Sequence, residues 1–160
     1  MLRRVRGTAA LLLAVLCVIG LTGCSALPRG YVTHDGSGYT LRVVPGCDRT
    51  TFKHVMVKYA SDTATSFESQ ETVWSVVFPD SSGVTSVTLF RAPPGAVDEF
   101  VSPTIDTSRE VLVWWDEGGG LEGQLSGVLD DIPAGAVLWS GGYEDAGEFA
   151  DKSSSRSFGC

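Results

Sequence analysis

The sequence predicts an all-β fold, a single antiparallel β-sandwich with an apolar N-terminal helix set apart from it. Three observations carry this reading. Beyond residue 30 the chain repeats short runs rich in Val, Thr and aromatic residues, which suit a pleated, half-buried surface. Clusters of Pro, Gly, Asp and Ser punctuate those runs. No stretch beyond the N-terminus sustains an apolar stripe of 3.6-residue period over a helix length. Immunoglobulin-like topology is the commonest sandwich at this size; a small jelly roll or closed barrel is the alternative. The paired mid-strand cysteines of true immunoglobulin domains are missing, because Cys160 ends the chain.

Taken in order, Tyr31–His34 offers a first short strand, and Tyr39–Val44 a second that stops at Pro45-Gly46. Phe52–Ala60 alternates, with Val55, Val57 and Tyr59 on one face and His54, Met56 and Lys58 on the other. Thr72–Phe78 puts Trp74, Val76 and Phe78 on one face, and Asp80-Ser81-Ser82-Gly83 reads as a hairpin loop into Val84–Arg91. Arg109–Trp115 is the clearest strand of all. Gln124–Leu129 and Ala136–Ser140 follow, joined through Asp130-Asp131-Ile132-Pro133. Two connections are polar: Ser61–Gln70, and the long Ala92–Ser108, in which a helical turn over Val97–Val101 or a functional loop is expected.

The N-terminus carries a different message. Arg3, Arg4 and Arg6 precede an uncharged run from Thr8 to Leu21, the outline of a secretory signal peptide. That run is shorter than the roughly twenty residues a permanent membrane span requires. Leu21-Thr22-Gly23-Cys24 resembles the lipobox of bacterial lipoproteins. The resemblance covers residues 1–24 and implies cleavage before Cys24, lipid on its thiol, and the membrane as a partner through that lipid. The implied division is a signal peptide over 1–23, a lipidated N-terminus and tether over 24–37, and the sandwich over 38–160. A tether of that length reaches at most about 50 Å, so the domain is expected close to the outer face of the cell membrane.

Removing residues 1–23 takes three of the twelve basic residues and none of the nineteen acidic ones, which leaves nine against nineteen and a net charge of −10. Such a domain repels phosphate backbones, and nucleic acid is excluded as a partner. The chain has no Asn, and three Lys against nine Arg, a composition similar to that of proteins from GC-rich actinobacteria. With Cys17 lost in the signal and Cys24 lipidated, Cys47 and Cys160 remain as an even pair in an oxidising compartment. A disulfide between them is expected; two free thiols or a bridge to another chain stay open. The bridge would contribute about 4–5 kcal/mol in the chain-entropy account and would tie down the polar, Ser-rich tail that ends the chain.

Catalytic signatures are missing. G-x-S-x-G does not occur, and His34 and His54 are the only imidazoles. His34 adjoins a turn, Asp35-Gly36-Ser37-Gly38, and His54 lies on the more polar face of its strand. Gly118-Gly119-Gly120 is followed by Leu-Glu rather than Lys-Ser/Thr, and so reads as a turn between strands. No cofactor or metal is expected; Asp116-Glu117, Asp130-Asp131 and Asp145 are the acidic loops where calcium would otherwise be sought. Trp114 and Trp115 face opposite sides of one strand. Trp115 shares its face with Val111 and Val113 and is assigned to the core with Trp74 and Trp139. Trp114 is the candidate partner-binding aromatic, unless a loop such as Ala92–Ser108 covers it. The expected function is that of a membrane-anchored, non-enzymatic binding or structural module for an extracytoplasmic protein or glycan. A hydrolase acting on cell-wall or extracellular substrate through loop carboxylates is the alternative.

Overall fold

The computed structural model describes residues 29–47, 49–64, 66–79, 83–91 and 93–155. The signal segment, the lipobox and Cys160 lie outside the described residues.

Ten strands form two antiparallel sheets. They are β1 (Gly30–His34), β2 (Tyr39–Val43), β3 (His54–Tyr59), β4 (Thr72–Val77), β5 (Ser86–Thr88), β6 (Asp98–Val101), β7 (Glu110–Gly118), β8 (Leu121–Val128), β9 (Ala136–Trp139) and β10 (Gly142–Asp145). A 3₁₀ turn covers Leu129–Asp131, and a helix, α1, covers Ala146–Ser155. The first sheet has the order β10-β9-β1-β2-β5 and the second β6-β4-β3-β7-β8. Within these, β1-β2-β5 faces β4-β3-β7-β8, the strand order of the immunoglobulin-like sandwich. Two additions depart from it: a β9-β10 hairpin beside β1, and β6 at the far edge of the second sheet. Both sheets are open, so the closed-barrel alternative falls away.

Alternation placed most strands correctly. Val55, Val57, Trp74, Val76, Val111, Val113 and Trp115 face Val32, Leu41, Val87 and Leu138 across the interior, all at most 1 % exposed. A register shift between Val57 and Lys58 lets Val73 join Trp74 in the interior, where strict alternation would turn it outward.

Five sequence expectations change. Val97–Val101 holds an edge strand, β6, instead of a helical turn, because it pairs with β4. The segment after Val77 is no hairpin: β4 and β5 belong to different sheets, so it crosses between them. Gly30–His34, assigned to the tether in the sequence, is a strand of the sandwich, since β1 pairs with β2 on one side and β9 on the other. Trp139 is only partly buried, outside the main interior and against α1. The Ser-rich tail is helical over Ala146–Ser155. Asp145 Oδ1 accepts hydrogen bonds from the Gly147 and Glu148 amides and so satisfies the open start of the helix. Phe149 packs on Tyr31 and Trp139, and with Val44, Cys47 and Val137 makes a second, small core on the outer face of the first sheet.

The main core turns on Trp115. Its ring lies where a Cβ on Gly123, its neighbour on β8, would come within 2.3 Å, and a Cβ on Gly30, in the opposite sheet, within 2.8 Å. Its Nε1 donates to Glu117 Oε1 at 3.1 Å, and Glu117 Oε2 pairs with Arg29 at 3.1 Å. Phe52 meets the indole edge-on at 6.2 Å between centroids. The polar end of the ring is thus satisfied while its apolar body fills the interior.

A side chain at Gly123 must displace this ring. Gly123→Ala is expected to cost about 1–3 kcal/mol through overpacking, read as a lower urea midpoint at unchanged slope. Gly83→Ala, whose methyl meets nothing within 4 Å, stays within about 0.5 kcal/mol of the parent.

Candidate binding face around Trp114

The two outer faces of the sandwich differ. α1 lies over the first sheet, against β9 and β10. The second sheet has no helix over it among the described residues. Its register lines up outward-facing residues in rows across the strands. One row runs Phe100, Ser75, Met56, Trp114, Gln124; the next toward the β7-β8 hairpin includes Val77, His54, Asp116 and Glu122.

Trp114 sits half-buried at the centre of this face. The His54 ring meets it edge-on at 5.2 Å, and Phe67 lies tilted against it at 6.0 Å. Its Nε1 donates to Glu122 Oε2 at 3.2 Å. Cover therefore comes from Ser61–Gln70 through Phe67, not from Ala92–Ser108 as the sequence suggested. The same loop encloses Lys58, which is only 5 % exposed although it points outward. Its ammonium donates to the Phe67 carbonyl at 2.9 Å and stands 4.4 Å from the Phe67 ring centre. Phe67 thus serves both Lys58 and Trp114, one by cation–π attraction and the other by a tilted ring contact. Sequence reasoning passed over both residues. The parity of His54, Met56 and Lys58 on β3 was the available signal; the fold-back of Phe67 had none.

The remaining candidates have structural roles. Asp35 Oδ1 accepts from the Ser37 amide and hydroxyl, which closes Asp35–Gly38 into a turn. Gly118, Gly119 and Gly120 all have φ between +67° and +83°, which suits the β7-β8 turn. Asp116 Oδ1 accepts from the Gly118 amide there. Asp145 caps α1. No group of three or more His, Cys, Asp or Glu side chains among the described residues is placed to hold a metal. A pocket of about 420 Å³ at the end where the chain enters β1 is lined by Arg29, Cys47, Arg49, Thr50, Glu117 and Leu121. Cys47 is 3 % exposed there, in the small core beneath α1.

At the opposite end of the sandwich, His34 stacks on Tyr39 at 4.7 Å, and the Tyr39 hydroxyl donates to Asp130 Oδ1. That bond, with a second from Thr107 and the nearby His34, holds the Asp130 carboxyl below the usual carboxylate range. Partial burial, and then the Asp130 bond, push the Tyr39 phenol up.

Phe67→Ala is expected to raise acrylamide quenching of the tryptophan fluorescence. The increase should vanish in the Phe67→Ala/Trp114→Phe double variant. Loss of the Lys58 contact costs about 1 kcal/mol in the same protein. Tyr39→Phe raises the Asp130 carboxyl toward the ordinary carboxylate range, followed by carbon-13 shifts of the side chain. Because the folded-state value lies below the unfolded one, the parent's advantage is present above about pH 4 and fades as pH falls toward the depressed value. The chain matches no family model, and no curated protein and no solved structure matches it.

Proposed function

We propose that this protein is a membrane-anchored extracytoplasmic lipoprotein whose sandwich works as a binding module rather than an enzyme. One observation carries the binding reading: α1 lies over one outer face, while the other presents Trp114, Met56 and Phe100 in a row with Phe67 folded against Trp114. Half-buried aromatic side chains on an otherwise open sheet are the anchors that protein and glycan partners use. Four of the loop carboxylates a hydrolase would recruit are engaged in local bonds. Glu117 holds Trp115 and Arg29, Asp116 the β7-β8 turn, Asp130 the Tyr39 hydroxyl and Asp145 the start of α1.

Anchoring rests on the lipobox resemblance of Leu21–Cys24. With β1 starting at Gly30, six residues from Cys24 to Arg29 reach at most about 20 Å, so the Arg29 end of the sandwich would stand nearest the membrane. The Cys47–Cys160 disulfide belongs to the same proposal. Cys47 shares the small core with Phe149 of α1, and α1 ends five residues before Cys160.

Metabolic labelling with an alkyne fatty acid in a bacterial host should mark the full chain and leave it in the membrane fraction. Cys24→Ala should lose both the label and the membrane association. An unlabelled parent protein would overturn the anchor. Without reductant, the intact mass should show no alkylatable thiol at Cys47 or Cys160; two alkylated thiols would overturn the bridge. For the binding face, a photoreactive phenylalanine analogue in place of Trp114 should give cross-linked adducts in whole cells, and the same analogue at Asp151 on α1 should not. Adducts at position 151 but none at 114 would overturn the assignment.

A further inference from the structure

We infer that the free edge of β6 is a strand-recognition site for an extended, basic segment of a partner protein. The inference rests on the binding-module reading above and names where and how that module takes its partner. Among the described residues only five large apolar side chains are strongly exposed, and three of them lie together: Val97 at 65 %, Phe100 at 48 % and Val101 at 46 %. All three lie on β6 or directly before it. β6 closes the second sheet and pairs with β4 alone.

The backbone of this edge is available. The Ser102 amide donates to the Val73 carbonyl at 2.8 Å. Successive residues of a strand turn their backbone groups to opposite sides, so the Val101 amide points away from β4. An incoming strand would bond there and bury apolar surface on both of its faces. Phe100 lies on the outer face, in register with Ser75, while Val101 is in register with the buried Trp74. Natural sheets blunt their edges with charge or Pro to prevent such pairing. The β6 sequence is acidic, Asp98-Glu99, but the Glu99 side chain turns to the Trp74 indole, whose Nε1 donates to Glu99 Oε1 at 2.9 Å, and Phe100 and Val101 stay uncovered.

Charge decides the occupant. Two copies joined edge to edge would bring one acidic strand against another, on mature domains of net charge −10 each. That arrangement is repulsive. An extended segment carrying Lys or Arg between apolar residues meets the acids with opposite charge while its backbone completes the sheet, the mode known as strand addition.

The probe is a capped, fluorescein-labelled octapeptide alternating valine and lysine, titrated into the detergent-solubilised full chain. Saturable binding is expected, with slowed hydrogen exchange at the Val101 amide. Two control peptides should bind at least tenfold more weakly: one alternating valine and glutamate, and one of equal charge with two valines replaced by proline. Val101→Pro, which removes the outward donor, should weaken the valine–lysine peptide at least tenfold. Val101→Lys keeps that donor, reverses the local chemistry and should weaken it equally, which decides the matter if the proline variant unfolds. Equal binding of the proline-containing peptide would overturn the proposal in favour of charge attraction alone. Exchange protection confined to the Trp114 row would overturn it as well, as would a concentration-dependent dimer that Val101→Lys abolishes. The assay needs neither Trp114 nor the lipid. Its failure therefore removes the β6 site alone, whereas failed labelling or cross-linking removes the broader reading.

Discussion

The indole of Trp115 is the wedge against which the two sheets are set. It starts on β7, covers the bare backbone of Gly123 on β8, and crosses the interior to the bare backbone of Gly30 on β1. Glycine at both contacts is a steric demand, since a single methyl at either would enter the ring. The wedge also has a latch. Glu117 takes the indole N–H with one oxygen and Arg29 with the other, so the residue just before β1 is bound to the second sheet. One side chain therefore sets the spacing of the sheets and fixes where the chain enters the fold.

From that entry point follows the difference between the two outer faces. β1 lies inside its sheet with β9 on its open side, and the chain continues through β10 into α1. The helix is polar and short, and offers the sheet little beyond Ala146, Phe149 and the buried Ser153. A contact of that size holds a ten-residue helix weakly. Asp145 capping the first turn and Lys152 pairing with Glu144 on β10 add local support. The proposed Cys47–Cys160 bridge would fasten the other end, where the small core already holds Cys47 against the helix. Among the described residues the second sheet has no counterpart, and its aromatic row keeps partial access to solvent.

Strands with a strong apolar alternation could be read from the sequence because burial of one face imposes a period of two. β3 and β7 are the clearest, and Trp115 was assigned to the core on that ground alone. β6 could not be read this way: it is four residues long, half acidic, and its existence depends on β4 offering an unpaired edge. α1 was missed because a single ridge of contacts leaves no stripe of helical period. Its start nonetheless carries a legible sign in Asp145-Ala-Gly-Glu148, the spacing of a capping box. At the candidate face, Trp114 was found by parity. Phe67 was not, since a loop residue that folds back across a sheet is specified by tertiary placement and by no local pattern. Lys58 shows the same limit: alternation put it outward, and only the loop above it makes it buried.

Phe100 joins the two surfaces argued for here, being both the exposed aromatic of the β6 edge and the last member of the row that contains Trp114. A strand added beside β6 would extend that row by one position, so its side chains would lie next to Phe100 and Ser75. Backbone pairing at the edge and side-chain contact on the face are then parts of a single geometry. The acidity of the domain gives this arrangement its selectivity. On a membrane surface, copies held by the proposed lipid anchor would meet one another more often than they meet a soluble partner. The charge of −10 expected for each mature copy would oppose that encounter and leave the edge to a segment of the opposite sign.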